Sequence, residues 1–386
     1  MVGLLSLAWA ADLPLPPSVS DAEAPVLEWA PVLQAQVLAY GSNGQLYELG
    51  VGGRVGVEAS RRALTARVSL GARLFPMVED EFPNLQSAVD TEAELAEAWV
   101  NLDPYISEAL VVHLTAGLQP VEFNEGRLVG KQDQWLSGSF PLAARLHLGA
   151  APWSLDAVGG YREVGGAWAY PWWAVRLGAG RERPSGAWQV DLVATDADVD
   201  AIPASGLTVD DDIAAGGVYA RADVSRLRTR ADVYVQPFRE GGVAVMGGGR
   251  LGWALGGDAR VVLGGAAEGG TGDRDGTGRF LNPWGNVEAA IGALTRYPLG
   301  TSVNVPGQVG VGAFADMVVT PGLRVDLAAW QYHFADMEPY GAQVEADTRL
   351  YFGPYAWLRF RGALFLPWDS VDTVYSSAAL SLDVQI

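Results

Sequence analysis

The strongest constraint on this chain is an alternation of apolar and polar residues with period two, repeated from one end to the other. In "ALTARVSLGARLF" (63–75), Leu64, Ala66, Val68, Leu70, Ala72 and Leu74 fall on one face. Thr65, Arg67, Ser69, Gly71 and Arg73 fall on the opposite face. The same design recurs in "VGGRVGVEAS" (51–60), "VVHLTAGLQ" (111–119), "WQVDLVAT" (188–195), "LRTRADVYVQ" (227–236), "DARVVLGGAAE" (258–268) and "AWLRFRGALFL" (356–366). Period two is the signature of a strand with two unlike faces. Each segment is about ten residues long, which at roughly 3.3 Å per residue and a tilt near 45° crosses a bilayer's hydrocarbon layer. No apolar run reaches the roughly 18 residues of a membrane helix. A soluble sandwich also alternates, but its core needs bulkier side chains than these Ala, Gly, Val and Leu faces supply. The reading is all-β: a transmembrane antiparallel β-barrel whose apolar face meets lipid and whose polar face lines a wet lumen.

Connections between segments alternate in length. Short links fall near 60–62, 103–107, 149–151, 182–185, 225–226, 256–257, 320–322 and 353–354. Longer stretches cover 76–91, 121–138, 196–212, 268–305, 335–341 and 367–376. Short periplasmic turns and long outer loops are the barrel pattern, and single-chain bacterial barrels have an even strand number. The apolar segments number 19, so one must be something else. "NVEAAIGALTRY" (286–297) places Val287, Ala290, Ile291 and Leu294 at helical spacing behind Asn286, a good N-cap. Read as a helix in an outer loop, it leaves about 18 strands, with 16 the other even count considered.

Composition supports an exported membrane protein. Apolar residues make up 49% of the 386-residue chain, charged residues only 18%, and cysteine is absent, which excludes disulfides and thiolate metal sites. "MVGLLSLAWA" (1–10) reads as a secretory signal peptide cut after Ala10. Residues 11–31 then form an N-terminal periplasmic segment and 32–386 the barrel, in the bacterial outer membrane. The net charge of −19 argues against nucleic acid as a partner. Most of the excess negative charge falls in 1–31 and in the loops 76–91, 196–212, 335–341 and 367–376, which contain no bases. An acidic outer face implies outer-membrane lipid and lipopolysaccharide, met through divalent cations, as partners. Tryptophans and tyrosines cluster near strand ends, as interface girdles do. Trp99, Trp172 and Trp357 fit either face.

The polar face offers little for covalent chemistry. Asp196, Asp198 and Asp200 start like a calcium loop, but Ala201 stands at the sharp-turn glycine and Leu207 at the bidentate glutamate. "GLQPVEFNEGRLVGKQDQW" (117–135) has two loop glycines but no helix and no GK[ST], so it is no phosphate loop. His113 lacks a well-spaced serine for a lipid hydrolase. No catalytic residue, metal site or cofactor is assigned. Arginine is the notable polar element: Lys131 is the chain's one lysine among 26 bases. Alternation points Arg54, Arg67, Arg73, Arg145, Arg176, Arg221, Arg228, Arg230, Arg250, Arg260, Arg324, Arg349, Arg359 and Arg361 into the lumen. Many must pair with lumen acids such as Glu58, Asp156, Asp191, Asp232, Asp326 and Asp347. Arginines left over at a constriction would favour anions.

Three stretches carry a family resemblance. Gly117-Leu118-Gln119, Gly126-Arg127-Leu128-Val129-Gly130 and Asp133 to Trp135 resemble the glycine-rich segment of alginate-export outer-membrane barrels. "TPGLRVDLAAWQYHFADMEP" (320–339) and the late pair Arg359 and Arg361 are similar to two further stretches of that family. Leu118, Asn124-Glu125 and the extra Gln134 depart from its pattern. The resemblance implies a barrel that passes an anionic polysaccharide, with Arg127, Arg359 and Arg361 in equivalent roles. The candidate anion-selective lumen residues are thus Arg54, Arg67, Arg127, Arg145, Arg359 and Arg361. Arg127 and Lys131 either face the solute path or pair with Glu122, Glu125 and Asp133. The expected function is a passive channel for an anionic or polar solute, an oligo- or polysaccharide included. A general diffusion porin and a structural barrel with a plugged lumen are the alternatives.

Overall fold

The computed structural model describes residues 27–42, 45–75, 90–104, 106–107, 109–124, 140–164, 167–183, 186–197, 213–237, 242–256, 260–272, 280, 308–334, 336–353, 355–368 and 375–385. They form eighteen strands in chain order. The first nine are β1 (Glu28–Ser42), β2 (Gln45–Arg61), β3 (Leu64–Phe75), β4 (Asp90–Leu102), β5 (Val111–Leu118), β6 (Leu142–Ala150), β7 (Trp153–Val164), β8 (Ala167–Arg183) and β9 (Gly186–Ala197). The second nine are β10 (Ile213–Val224), β11 (Leu227–Pro237), β12 (Val243–Leu255), β13 (Val261–Gly270), β14 (Gln308–Thr320), β15 (Leu323–Phe334), β16 (Pro339–Tyr351), β17 (Ala356–Pro367) and β18 (Tyr375–Gln385).

Each strand pairs antiparallel with its neighbours in sequence, and β18 pairs with β1 from Gln34↔Gln385 to Ser42↔Ser377. The order of pairings closes into a ring, with its shortest seam at β4–β5, which pair only from Ala98↔Leu118 to Leu102↔Leu114. Cross-strand pairing of ladder amides is what permits strands to sit in hydrocarbon. The described ring reaches eighteen strands with β13 paired directly to β14; residues 286–297, where a helix is expected, lie outside the described residues.

The eight short connections fall where the sequence placed them, and all lie at one end of the barrel. The six long stretches lie at the other end, together with three brief links at 43–44, 165–166 and 238–242 that sequence reading did not separate. The strand boundary at the start needs correction. β1 begins at Glu28, inside the 11–31 segment that was set apart from the barrel. Pro31 invites a break there. It lies near the strand's beginning, where a missing amide hydrogen costs little. The rest of that segment and the signal sequence at 1–10 lie outside the described residues.

The exterior is apolar, with Val55, Val68, Leu70, Leu192, Leu251, Val233, Val344 and Leu364 among its exposed side chains. Aromatics mark both ends of this band. Trp29, Trp153, Trp188, Trp253 and Tyr355 stand at the short-turn end, and Tyr161, Trp173 and Trp368 at the long-loop end. Such girdles sit at headgroup level. Trp172 is buried on the inner wall, and Trp99 and Trp357 share the inward register of Glu97 and Arg359.

The interior has two layers. Toward the short turns it is charged. Toward the long loops it is apolar: Ala143, Val158, Trp172, Ala174, Val193, Ala215, Tyr234 and Ala244 pack with Val121, Phe123 and Phe280. The last three come from connections rather than strands, so two long connections dip into the barrel and bury apolar groups on its inner wall. A second apolar group, Tyr332, Ala363 and Phe365 with Trp330 and Tyr340, occupies the same level across β15–β17.

Candidate lumen site

The charged layer is built from cross-strand neighbours, which is where a sheet brings side chains together. On β6–β9 its centre is Asp156, opposite His147 on one side and Arg176 on the other. Arg145 donates to Asp156 at 2.8 Å, and Arg176 donates to its second oxygen through Nε at 3.0 Å and through Nη2. His147 Nδ1 lies 3.0 Å from the same carboxylate. Arg176 also stands 3.7 Å from Asp191, which accepts a 2.6 Å bond from Gln189. A buried carboxylate is tolerable only when it is this fully paired.

The exposures within this cluster are unequal. The Asp156 side chain is 0% exposed, whereas Arg145 is 20% and Arg176 is 18% exposed. Short aspartates lie against the wall and long arginines reach past them, so water in the lumen meets guanidinium first.

The segment after β5 covers this cluster. Gly117 ends the strand with φ +124°, and a Cβ there would stand 2.1 Å from the Ala98 carbonyl oxygen. Only glycine fits that close approach and that left-handed backbone. Gln119 then donates to the Ala143 carbonyl at 2.7 Å, tying the chain to β6. Phe123 follows, with Arg145 and Arg176 each 5.8 Å from its ring centroid. The opening of "PVEFNEGRLVGKQDQW" thus turns into the barrel and caps two arginines. Residues 125–139, which include Arg127 and Lys131, lie outside the described residues.

A second cluster joins β2, β3 and β4. Arg54 donates to Glu97 at 2.9 Å, and Arg67 binds Glu58 at 2.6 Å and Glu97 at 3.4 Å. Arg54 is only 4% exposed and lies 5.0 Å from the Phe140 ring, so it braces the wall and does not face a solute. Arg67 is the exposed member, over Trp99.

Two more groups complete the circumference. Arg250 of β12 reaches across β13 to Asp316 at 2.7 Å and stacks 3.6 Å from the Phe314 ring centroid. Gly264 makes that reach feasible, because a Cβ there would meet Phe314 Cζ at 2.5 Å. On β16–β17, Arg359 donates to Asp347 at 2.6 Å and Arg349 donates to it at 3.0 Å. Arg361 is the direct cross-strand neighbour of the same aspartate. Here Asp347 is 20% exposed, and Arg349 and Arg359 are 9% and 14% exposed.

Of the six arginines expected to make an anion-selective lumen, Arg54, Arg67, Arg145 and Arg359 are all ion-paired. They do not converge. They stand in three clusters around the wall. Arg359 is no more exposed than the Asp347 carboxylate that it binds. Arg176 was one inward arginine among many in the sequence, yet it shares Asp156 with Arg145. The signal was available in the registers: Asp156 and Arg176 occupy the same polar face of adjacent strands.

A ring of eighteen antiparallel strands with an apolar exterior, two aromatic girdles and a charged interior is the architecture of outer-membrane porin barrels. Solved structures with this architecture include Pseudomonas aeruginosa OccK3 (OpdO), with TM-score 0.61 and 14% identity over 93% of this chain and 96% of that one. P. aeruginosa OprD aligns with TM-score 0.58 and 11% identity, covering 93% and 95%. The outer membrane protein OpdK of P. aeruginosa aligns with TM-score 0.55 and 10% identity, covering 93% and 99%. At these identities the likeness is one of fold. No protein-family model and no curated protein sequence matches the chain.

Proposed function

We propose that the protein is a passive outer-membrane channel for polar solutes with a bias toward anions. The observation that supports this most directly is the geometry on β6–β9. Two partly exposed guanidinium groups face the lumen while the carboxylate that fixes them is wholly buried. Field lines from a buried, doubly bound carboxylate are largely cancelled by its own partners, whereas the outward N–H groups remain available to a passing carboxylate or phosphate. Arginine suits that task because its donors form a planar fork. No bond is made or broken in transport. The solute exchanges part of its hydration for these donors, and the buried aspartates keep the arginines in place without occupying the path.

Uronate polymers, which the alginate-export resemblance implies, belong to the same solute class, because each sugar unit presents one carboxylate. Single-channel recording in a planar bilayer tests the reading. Expected are open-channel current, a reversal potential on the anion side in a salt gradient, and current block by oligouronates stronger than by neutral oligosaccharides of equal length. Unselective current would leave a general diffusion porin. A folded barrel without current would favour the plugged structural barrel, for which the apolar layer around Val121, Phe123 and Phe280 speaks.

A further inference from the structure

Several lumen arginines are anchored by acids, whereas three at the short-turn rim make no ion pair among the described residues. Arg61, Arg181 and Arg226 are exposed, and their side chains make no ion pair among the described residues. In a chain of net charge −19 this is conspicuous, since acids are plentiful. Arg62, in the same turn as Arg61, is exposed as well.

Each of the three stands beside a lipid-facing tryptophan. Arg61 continues the outward register of exposed Val55 and Val57, and Trp29 is paired with Ala59, the next outward residue. Arg181 continues the outward register of Trp173 and Leu177, and is directly opposite Trp188. Trp153 is opposite Ala179, one outward step from Arg181. Arg226 lies in the β10–β11 turn beside Leu227, which is opposite Trp253. Trp29, Trp153, Trp188 and Trp253 are all exposed. An exposed arginine therefore lies opposite or within two residues of the cross-strand position of an exposed tryptophan three times around the barrel, on β1–β2, β7–β9 and β10–β12, always at the height of the short turns.

That height is the headgroup level of one leaflet. Short turns of outer-membrane barrels face the periplasm, where the leaflet is phospholipid. Tryptophan seats its ring at the glycerol boundary, and an exposed guanidinium one step closer to water matches a phosphate in charge and geometry. We propose that this rim is a binding surface for anionic phospholipid headgroups of the periplasmic leaflet, with Arg61, Arg181 and Arg226 holding the phosphates. The proposal rests on the barrel's placement in the outer membrane and is independent of the solute.

The test uses the full chain in nanodiscs of phosphatidylethanolamine containing phosphatidylglycerol, followed by extraction and mass spectrometry of retained lipid. Retained phosphatidylglycerol enriched over phosphatidylethanolamine is the expected result. The variant Arg61→Gln/Arg181→Gln/Arg226→Gln should lose this enrichment by roughly fivefold per arginine, with its heat-modifiable gel shift and conductance unchanged. A lumen variant, Arg67→Gln, should keep the enrichment. If the triple variant does not fold, the single variant Arg181→Gln carries the same expectation at one step. Equal retention in rim variant and parent overturns the proposal. So does equal retention of both lipids. A barrel that binds phosphatidylglycerol but carries no current would end the channel reading and leave this one standing.

Discussion

The walls formed by β6–β9 and by β16–β17 use the same ingredients with opposite presentation. In each, one aspartate is shared by two arginines from flanking positions. Asp156 is sealed under its partners, and the arginines meet water. Asp347 is at least as exposed as its partners, and the guanidinium charge is turned toward the wall. Counting arginines on a lumen face therefore does not give the sign of the field a solute feels. The order of acid and base along the barrel radius decides it.

Removing the two aspartates is the most direct way to break this comparison. Asp156→Ala leaves Arg145, Arg176 and His147 facing one another without their shared buried carboxylate, and should destabilise the barrel by roughly 3–5 kcal/mol. A fall in the denaturant midpoint for loss of the heat-modifiable form measures it. An unchanged midpoint would mean that Asp156 is hydrated and the contrast is illusory. Phe123→Ala comes next. Loss of a ring buried against both arginines should cost about 3 kcal/mol, and single-channel conductance should rise as the dipped segment loosens. Equal conductance would show that the segment does not border the path.

Selectivity sharpens the comparison further. Arg145→Ala/Arg176→Ala should move the reversal potential toward cations more than Arg359→Ala/Arg361→Ala does. The reverse ranking would sink the radial-order argument. The smallest effect on stability is expected for Asp347→Ala, roughly 2 kcal/mol, because the site is more open to lumen water than that of Asp156. A loss as large as that of Asp156→Ala would place Asp347 deeper than its exposure indicates.

The barrel itself was legible because period two is a covalent fact of strand geometry. Once eight short links were found, the even count forced 286–297 out of the wall. Pro31 shows the limit at strand ends, where a residue that usually breaks a ladder is tolerated. Alternation also assigns a face without assigning a depth. Ala143, Val158, Ala174, Val193 and Ala244 are apolar yet point inward, and nothing in their own segments distinguishes them from lipid-facing residues. Only the dipping of Val121 and Phe123 onto them explains their chemistry, and that is a long-range contact. The site was half legible for the same reason. Arg145 and Arg176 were placed on the right face, but their shared aspartate emerges only from the registers β6–β7 and β7–β8. The bulge at Ala96 of β4, opposite Ser69 and Leu70, positions Glu97 beside Arg54 and Arg67, and its mark in the sequence is a change of parity from Glu92 and Glu94 to Glu97 within one strand.

The pairing of β1 with β18 also sets a timetable. A nascent or truncated chain that lacks residues 375–385 has two unpaired strand edges, at β1 and β17, each with a row of unsatisfied amides. Hydrocarbon will not accept those edges, so insertion cannot run to completion strand by strand from the N-terminus. The ends of the chain must meet before or while the wall enters the bilayer. The last strand is thus the clasp of the assembly process, and charge-neutral changes at Leu380 or Leu382 should slow insertion more than identical changes in a strand such as β11, whose neighbours are already in place.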